Sequence, residues 1–327
     1  NSLAGVLLLL GNFDRSLDAC MESMKIREDL LGAEHLEVAT MLNNIAGVRM
    51  KKGEFGEDVE NILNKAYQIK SSQLGQDHVQ VAEILNNIAI LRDMQGNNIK
   101  ALELTQRALS IQESKWGRNH VNTAHTMHCK ALFHKRQGDF EESIAMCKAA
   151  IRARKELLGE DHLDVANSLQ TLSEAELLQG NYQKALESVA QALRIRRSKL
   201  GSEHADVAVC LHHAGKVYMA LDRHDDTMQS YSEALAIRLK VLDDDHKDVA
   251  AVLKDIALLH WNRNSFDNAI KTMEEVLQIY RRTKAASEVE VADILNSLAA
   301  LYWNQSDFVR AEQVCSWLPS CTRTLYT

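Results

Sequence analysis

Apolar residues recur at helical spacing along most of the chain. Between residues 164 and 179 they occupy Val165, Ala166, Leu169, Leu172 and Leu177. Between residues 182 and 200 they occupy Ala185, Leu186, Val189, Ala192, Leu193 and Ile195. Gly180-Asn181 interrupts the two stripes, and this order predicts two amphipathic helices joined by a tight turn.

The turn after the second helix recurs at a fixed interval. A glycine ends the helix at Gly32, Gly75, Gly117, Gly159 and Gly201, and Asp243 and Ala285 take its place in the last two copies. A histidine follows at His35, His78, His120, His162, His204 and His246, with Glu288 in the last slot. The interval is 42 residues, except for 43 between the first two copies. Such a period indicates a stack of repeats, each one a helix pair.

The period divides nearly the whole chain. Six complete pairs are expected at residues 36–75, 79–117, 121–159, 163–201, 205–243 and 247–285. Partial pairs at 1–32 and 289–316 complete an array over 1–316, and the tail 317–327 matches nothing in the repeat. The chain begins within a predicted helix and without methionine, so we expect a fragment of a longer protein. In the first helix of each pair a small residue should face the second helix, at Ala46, Ala89, Ala131, Ser173, Gly215, Ala257 and Ala299.

Composition and charge argue against several classes of function. A net charge of −7 argues against a nucleic-acid surface. No apolar run approaches the roughly 20 residues of a membrane-spanning helix, so no membrane insertion is expected. Six cysteines lack paired spacing, and Cys20, Cys147 and Cys315 share one repeat position, which predicts buried, reduced thiols in a cytoplasmic protein. We find no glycine-rich phosphate loop and no nucleophile–base pair, and predict neither enzymatic activity nor a cofactor.

Several motifs resemble a known family. Gly-Asn-Tyr-Gln-Lys-Ala at 180–185, followed by Ala192, resembles the core of a tetratricopeptide repeat. The 42-residue period, Leu-Asn-Asn-Ile-Ala at 42–46 and 85–89, and the Ile-Arg pairs before the glycine turns resemble the repeats of kinesin light chains and nephrocystin-type proteins. The resemblance implies an all-α, right-handed superhelical solenoid of antiparallel helix pairs. The chain departs from the family at the position after the histidine. Relatives usually have proline there, whereas this chain has Leu36, Val79, Val121, Leu163, Ala205 and Lys247.

The first helices of such arrays line a concave groove. One position expected to face it is polar in seven copies, and we call this series the polar ladder: Asn43, Asn86, His128, Gln170, His212, Lys254 and Asn296. Amide and imidazole groups can bond the backbone of an extended peptide. In kinesin light chains the asparagine of the Leu-Asn-Asn segment serves that role, which maps here onto Asn43, Asn86 and Asn296. The alternative is a polar ladder that is solvated or bonds helix to helix.

Other candidate residues are aromatic or metal-ligating. Trp261 and Trp303 stand one repeat apart on the expected groove side, either as anchors for a partner or as packing against a second helix. The recurring histidines lie a full repeat apart, so we expect a structural role in the turns. His125, His128 and Cys129 share one helical face, but a zinc site needs about four ligands, and no metal site is expected.

These observations predict a protein–protein interaction scaffold that binds a peptide segment of a partner in its groove. Within that class, the resemblance implies a kinesin-light-chain-like cargo adaptor, cytoplasmic and cytoskeleton-associated, with a motor heavy chain or a cargo protein as partner. The alternative is a scaffold module of a larger signalling or ciliary protein with further domains.

Overall fold

The computed structural model describes residues 2–9, 12–283 and 287–316. Ala285, expected in the turn of the last complete repeat, and the non-repeat tail 317–327 lie outside this range. Within it the chain forms α-helices joined by short turns, without a strand, which confirms the predicted all-α class. None of these helices is both long and apolar enough to cross a membrane.

Residues 1–175 form one compact unit. Its helices are α1 Ser2–Leu9, α2 Phe13–Leu31, α3 Leu36–Lys51, α4 Glu57–Leu74, α5 Val79–Met94, α6 Asn98–Trp116, α7 Val121–Gln137, α8 Phe140–Leu158 and the part of α9 (Leu163–Leu178) up to residue 175.

The described residues from 176 to 316 form the second compact unit. After the last turn of α9 it contains α10 Tyr182–Leu200, α11 Ala205–Ala220, α12 His224–Val241, α13 Lys247–Asn262, α14 Phe266–Thr283, α15 Glu288–Asn304 and α16 Phe308–Ser316.

Odd-numbered helices from α3 onward are the first helices of their pairs, and even-numbered helices are the second. The turn within a pair is only a few residues long, so the two helices run antiparallel. Small residues lie between them: Ala46, Ala89 and Ala131 are fully buried in α3, α5 and α7. This confirms their predicted place at the helix contact, where a small side chain permits close packing.

The recurring histidines are helix N-caps. In each case Nδ1 accepts a hydrogen bond from the backbone N–H two residues later, at 3.1–3.3 Å, at His35, His78, His120, His162, His204 and His246. The bond satisfies one of the donors left free at a helix start, so the predicted structural role is confirmed. The seventh pair uses Ser287 instead, in a capping box with Glu290.

A buried arginine near the end of α8, α10 and α12 ties each of these three second helices to the next first helix. Arg154 Nη1 donates to the carbonyl oxygen of Asp164 at 2.8 Å, and Arg196 repeats the bond to Asp206 at 3.2 Å. Arg238 bonds the carbonyl of Asp248 in the same way. All three arginines are buried, and in each the charged guanidinium donates a hydrogen bond to a backbone oxygen in the first turn of the next helix.

One expectation about the cysteines is wrong. Cys20 and Cys147 are buried, at 3% and 0% exposure, as the repeat pattern predicts. Cys315, at the same repeat position, is exposed. It lies in α16, and no later helix among the described residues covers that face. The five cysteines of the described part are all free thiols.

The tight turn inside each pair needs a left-handed residue. Gly53, Gly96 and Gly138 supply it with φ of 92°, 82° and 87°, whereas Gly11, in the corresponding slot of the first copy, lies outside the described residues. Later pairs place other residues there, among them Asn264 at φ 56° and Ser306 at φ 62°. A side chain in this conformation costs roughly 1–2 kcal/mol.

Replacing Ser306 by glycine is therefore expected to stabilise the second unit by about 1 kcal/mol. The measurement is the urea midpoint of unfolding. Ser297→Gly is the matched control, because Ser297 lies inside α15, where glycine costs about 0.5–1 kcal/mol. A midpoint that falls in both variants would contradict the explanation.

Candidate peptide-binding surface

The first-unit members of the polar ladder lie on consecutive first helices, α3, α5, α7 and α9. Side chains bridge these helices near the ladder positions. Asn87 Nδ2 donates to Asn43 Oδ1 at 2.9 Å, joining α5 to α3. One turn from Gln170, Glu174 on α9 pairs with Lys135 on α7. The ladder positions in this unit therefore lie along the seam between neighbouring first helices.

A cavity of about 310 Å³ opens at the first ladder position. Its polar lining includes Asn43, Asn44, Asn87 and Lys51. The other walls come from Gly47 and Val48 of α3 and from α1 and α2, through Ala4, Gly5, Ser16 and Cys20. Asn44 and Lys51 are exposed. An amide carries two donor hydrogens and an acceptor oxygen. The cavity thus presents the mixture of apolar wall and few convergent polar groups that is typical of ligand sites.

Asn86 and His128 lie deeper than the ladder prediction implied. Asn86 is 4% exposed, and its Nδ2 lies 3.7 Å from Cys129 Sγ on α7. His128 Nδ1 lies 3.4 Å from Ser168 Oγ on α9. Burial, assisted by the positive charge of Arg154, lowers the pKa of His128 to about 3, so the ring is neutral at physiological pH. Both side chains bond between helices in this structure.

Gln170 is partly buried. Its Nε2 donates to Glu174 Oε1 on its own helix at 3.1 Å. The bond orients the amide along α9.

The second unit carries the other ladder residues on α11, α13 and α15. His212 is 8% exposed, and its Nε2 lies 2.7 Å from Asp255 Oδ2 on α13. Lys216 Nζ lies 3.3 Å from the same oxygen. Burial would raise the pKa of Asp255, but the hydrogen bond from His212 and the charge of Lys216 outweigh it and lower that pKa. Lys254 and Asn296 are partly exposed.

The two tryptophans differ in exposure. Trp261 is partly buried and packs against the hydrophobic core of the second unit, which favours the packing interpretation for this residue. Trp303 is 64% exposed, and its ring lies edge-on against Phe308 of α16, with centroids 4.9 Å apart. Trp303 thus keeps a large apolar surface open while it contacts a second helix.

Sequence reasoning missed Asn44, Asn87 and Lys51. The signal was present in the second asparagine of each Leu-Asn-Asn segment, one position beyond the ladder. No group of three or more His, Cys, Asp or Glu side chains in the described ranges is arranged to hold a metal ion.

Sequence comparison matches this chain to tetratricopeptide-repeat family models. One tetratricopeptide repeat model matches residues 37–114, 122–198, 176–240 and 206–282. A second matches residues 1–37. No curated protein matches the chain.

Solved structures share the fold at low sequence identity. BtubC (BKLC) from P. vanneervenii is 21% identical with a TM-score of 0.60, over 70% of this chain and 92% of that one. A kinesin light chain-like protein of Podosopora anserina with nearly identical TPR-like repeats is 19% identical with a TM-score of 0.55, over 63% and 97%.

A third structure places such an array within a larger protein. It is a signal transduction ATPase with numerous domains and a tetratricopeptide-repeat sensor, from Pyrococcus horikoshii, 15% identical with a TM-score of 0.64. The match covers 93% of this chain and 45% of that protein. The repeat models cover most of the sequence, and the helix pairs have the architecture of a repeat solenoid that serves as a protein-interaction scaffold. The chain belongs to the tetratricopeptide-repeat family.

Proposed function

We propose that the first unit binds an extended peptide segment of a partner protein at the surface of α3 and α5. The cavity lined by Asn43, Asn44, Asn87 and Lys51 is the observation that carries this proposal. An extended peptide exposes backbone N–H and C=O groups at regular spacing. Asparagine side chains can pair with both, which gives affinity without requiring one sequence.

The bond between Asn43 and Asn87 supports this role. It fixes both amides before a ligand arrives, so less side-chain entropy is lost on binding. Asn44 projects into solvent beside them. The Lys51 ammonium, also exposed, adds a positive charge at the rim. The remaining ladder residues His128, Gln170, His212, Lys254 and Asn296, together with Asn86, Trp261 and Trp303, are proposed to support or extend partner contacts within their own units.

The proposed biological role is that of a kinesin-light-chain-like cargo adaptor in the cytoplasm, associated with the cytoskeleton through a motor heavy chain or a cargo protein. Its support is the 42-residue period, the Leu-Asn-Asn-Ile-Ala segments and the similarity to a kinesin light chain-like protein. A second candidate is a sensor or scaffold module joined to other domains, as in signalling or ciliary proteins. The match to an ATPase with a repeat sensor favours it.

Peptide selection tests the binding surface. Peptides that bind the purified wild-type array are first selected from a displayed random library. Their affinities are then measured for the wild type, Asn44→Arg and Asn64→Arg. Arginine at position 44 should fill the cavity and weaken binding at least about tenfold, which corresponds to about 1.4 kcal/mol. Asn64 is exposed on α4, the second helix of the same pair, so Asn64→Arg is the matched control. Equal affinities for all three proteins would reject this surface.

The full-length transcript separates the two roles. An upstream heptad segment would support the adaptor, because such a segment forms the coiled coil that binds a motor chain. A phosphate-binding loop in a neighbouring domain would instead support the sensor module.

A further inference from the structure

Cys129 and His125 form a polar cluster beside Asn86, and neither of them belongs to the proposed peptide contacts. Cys129 stands on α7, is 4% exposed, and its Sγ lies 3.6 Å from Nε2 of His125, one turn earlier on the same helix. On the opposite side, Asn86 Nδ2 on α5 approaches the sulfur to 3.7 Å. The thiol therefore has two polar neighbours within contact distance, unlike a cysteine that only fills core volume.

The charges around the sulfur favour a thiolate. Burial by itself would raise the pKa of Cys129, but His125, the Asn86 amide and the positive charge of Arg154 outweigh it and lower that pKa. The pKa of His125 is raised in turn by the charge on Cys129. Both shifts favour transfer of the thiol proton to the imidazole, and a thiolate beside an imidazolium is typical of reactive cysteines. The His125 side chain is exposed, so the pair has an edge toward solvent.

A second feature indicates a small polar ligand. Asn86 is 4% exposed, and its Oδ1 is buried without a hydrogen-bond partner among the described residues. A buried acceptor left unpaired costs about 1–3 kcal/mol. The Nδ2 of the same amide contacts Sγ, so the unpaired oxygen belongs to a side chain that touches the thiol. It would accept the O–H of a small molecule that reaches the sulfur.

We propose that Cys129 is an oxidation site for small hydroperoxides, with His125 and Asn86 as positioning residues. The Cys129 thiolate attacks one peroxide oxygen, and an S–O bond forms as the O–O bond breaks. The electron pair of the O–O bond leaves with the distal oxygen, which takes the proton of the His125 imidazolium. For hydrogen peroxide the products are the Cys129 sulfenic acid, water and neutral His125. The sulfur is oxidised by two electrons, and the peroxide is reduced by two.

The burial of Cys129 explains the choice of oxidant. The residue is only 4% exposed, so an oxidant would have to approach along the exposed His125 and be very small, whereas a bulky disulfide would need the helices to part. The added oxygen would occupy the space between α5 and α7, next to the Asn86 amide. Oxidation would therefore alter the contact between these two first helices.

The test is residue-resolved mass spectrometry of the array after brief treatment with hydrogen peroxide at pH 6 in the presence of dimedone, which traps sulfenic acids. At this pH an ordinary thiol is less than about 1% ionised. Cys129 should form the adduct at least about tenfold faster than Cys20 and Cys147, which are buried in the same protein. The pKa of Cys20 is raised by burial, so it provides an internal reference.

Substitution then assigns the role of the imidazole. His125→Gln should slow labelling of Cys129 about tenfold, whereas His134→Gln, on the same helix but paired with Asp139, should leave it unchanged. A variant that loses its fold would show itself by rapid labelling of Cys147. Labelling of wild-type Cys129 no faster than that of Cys20 and Cys147 overturns the proposal, with or without the variants. A normal rate in folded His125→Gln overturns the role of His125.

Discussion

Replacing Gly215 by alanine is expected to destabilise the second unit by about 1 kcal/mol, although alanine is the better helix former. A Cβ built at Gly215 would overlap Cε1 and Cδ1 of the Tyr231 ring and lie 3.1 Å from its Cζ. Tyr231 is 2% exposed and packs against Val252 and Ile256 of α13, which opposes a shift of the ring. Overpacking of this kind typically costs 1–3 kcal/mol, more than the roughly 1 kcal/mol that alanine gains over glycine in a helix. Chemical denaturation monitored by circular dichroism measures the loss.

The neighbouring pair supplies the compensating change. There the same two positions hold Ala257 and Met273, both 0% exposed. Tyr231→Met in the Gly215→Ala background should therefore recover most of the lost stability, because a flexible thioether replaces the ring. If the double variant is as unstable as Gly215→Ala alone, the contact between these two positions is not the cause.

Acid should destabilise the first unit through His128, and His128→Gln should remove part of that effect. In the folded protein burial holds the pKa of His128 at about 3. In the unfolded chain the ring has its ordinary pKa of about 6.5. The unfolded state thus binds more protons between these values, and the stabilisation by the neutral ring is present above pH 6.5 and lost as pH falls toward 3.

The expected size follows from the pKa difference. Between pH 7 and pH 4.5 the wild type should lose on the order of 2 kcal/mol more than His128→Gln. Glutamine is a natural substitute, since Gln170 holds the same position in the next repeat. Urea denaturation of both proteins at several pH values measures the difference. Parallel pH dependences would show that His128 is not held neutral by the fold.

The repeat pattern predicted most of the fold because its recurring residues are those that the backbone needs at each helix end and each helix start. Gly159 must adopt a left-handed φ of 90° after α8, and His162 must leave Nδ1 free to cap α9. Both roles depend on a few adjacent residues, so the sequence carries them directly. The alternation of apolar stripes likewise fixes which helix faces meet.

The candidate surface was less predictable because it depends on helix orientation. Neighbouring residues on a helix point about 100° apart. The tilt of each first helix then decides which of Asn43 and Asn44, or Asn86 and Asn87, faces the open side. In the structure Asn44 is exposed and Asn86 is buried, a difference that no local motif encodes. Cys315 departed from its pattern for a related reason, since burial there requires another helix.

The most direct test of the account is the position of a bound peptide. A selected peptide carrying a photoreactive group is cross-linked to the purified array, and the attachment sites are identified by mass spectrometry. Peptide binding at the proposed surface predicts cross-links on α3 and α5 around Asn44, Lys51 and Asn87, with loss of these cross-links in Asn44→Arg. Cross-links confined to the second helices α4 and α6 would contradict it and would place partner recognition on the other face of the repeats.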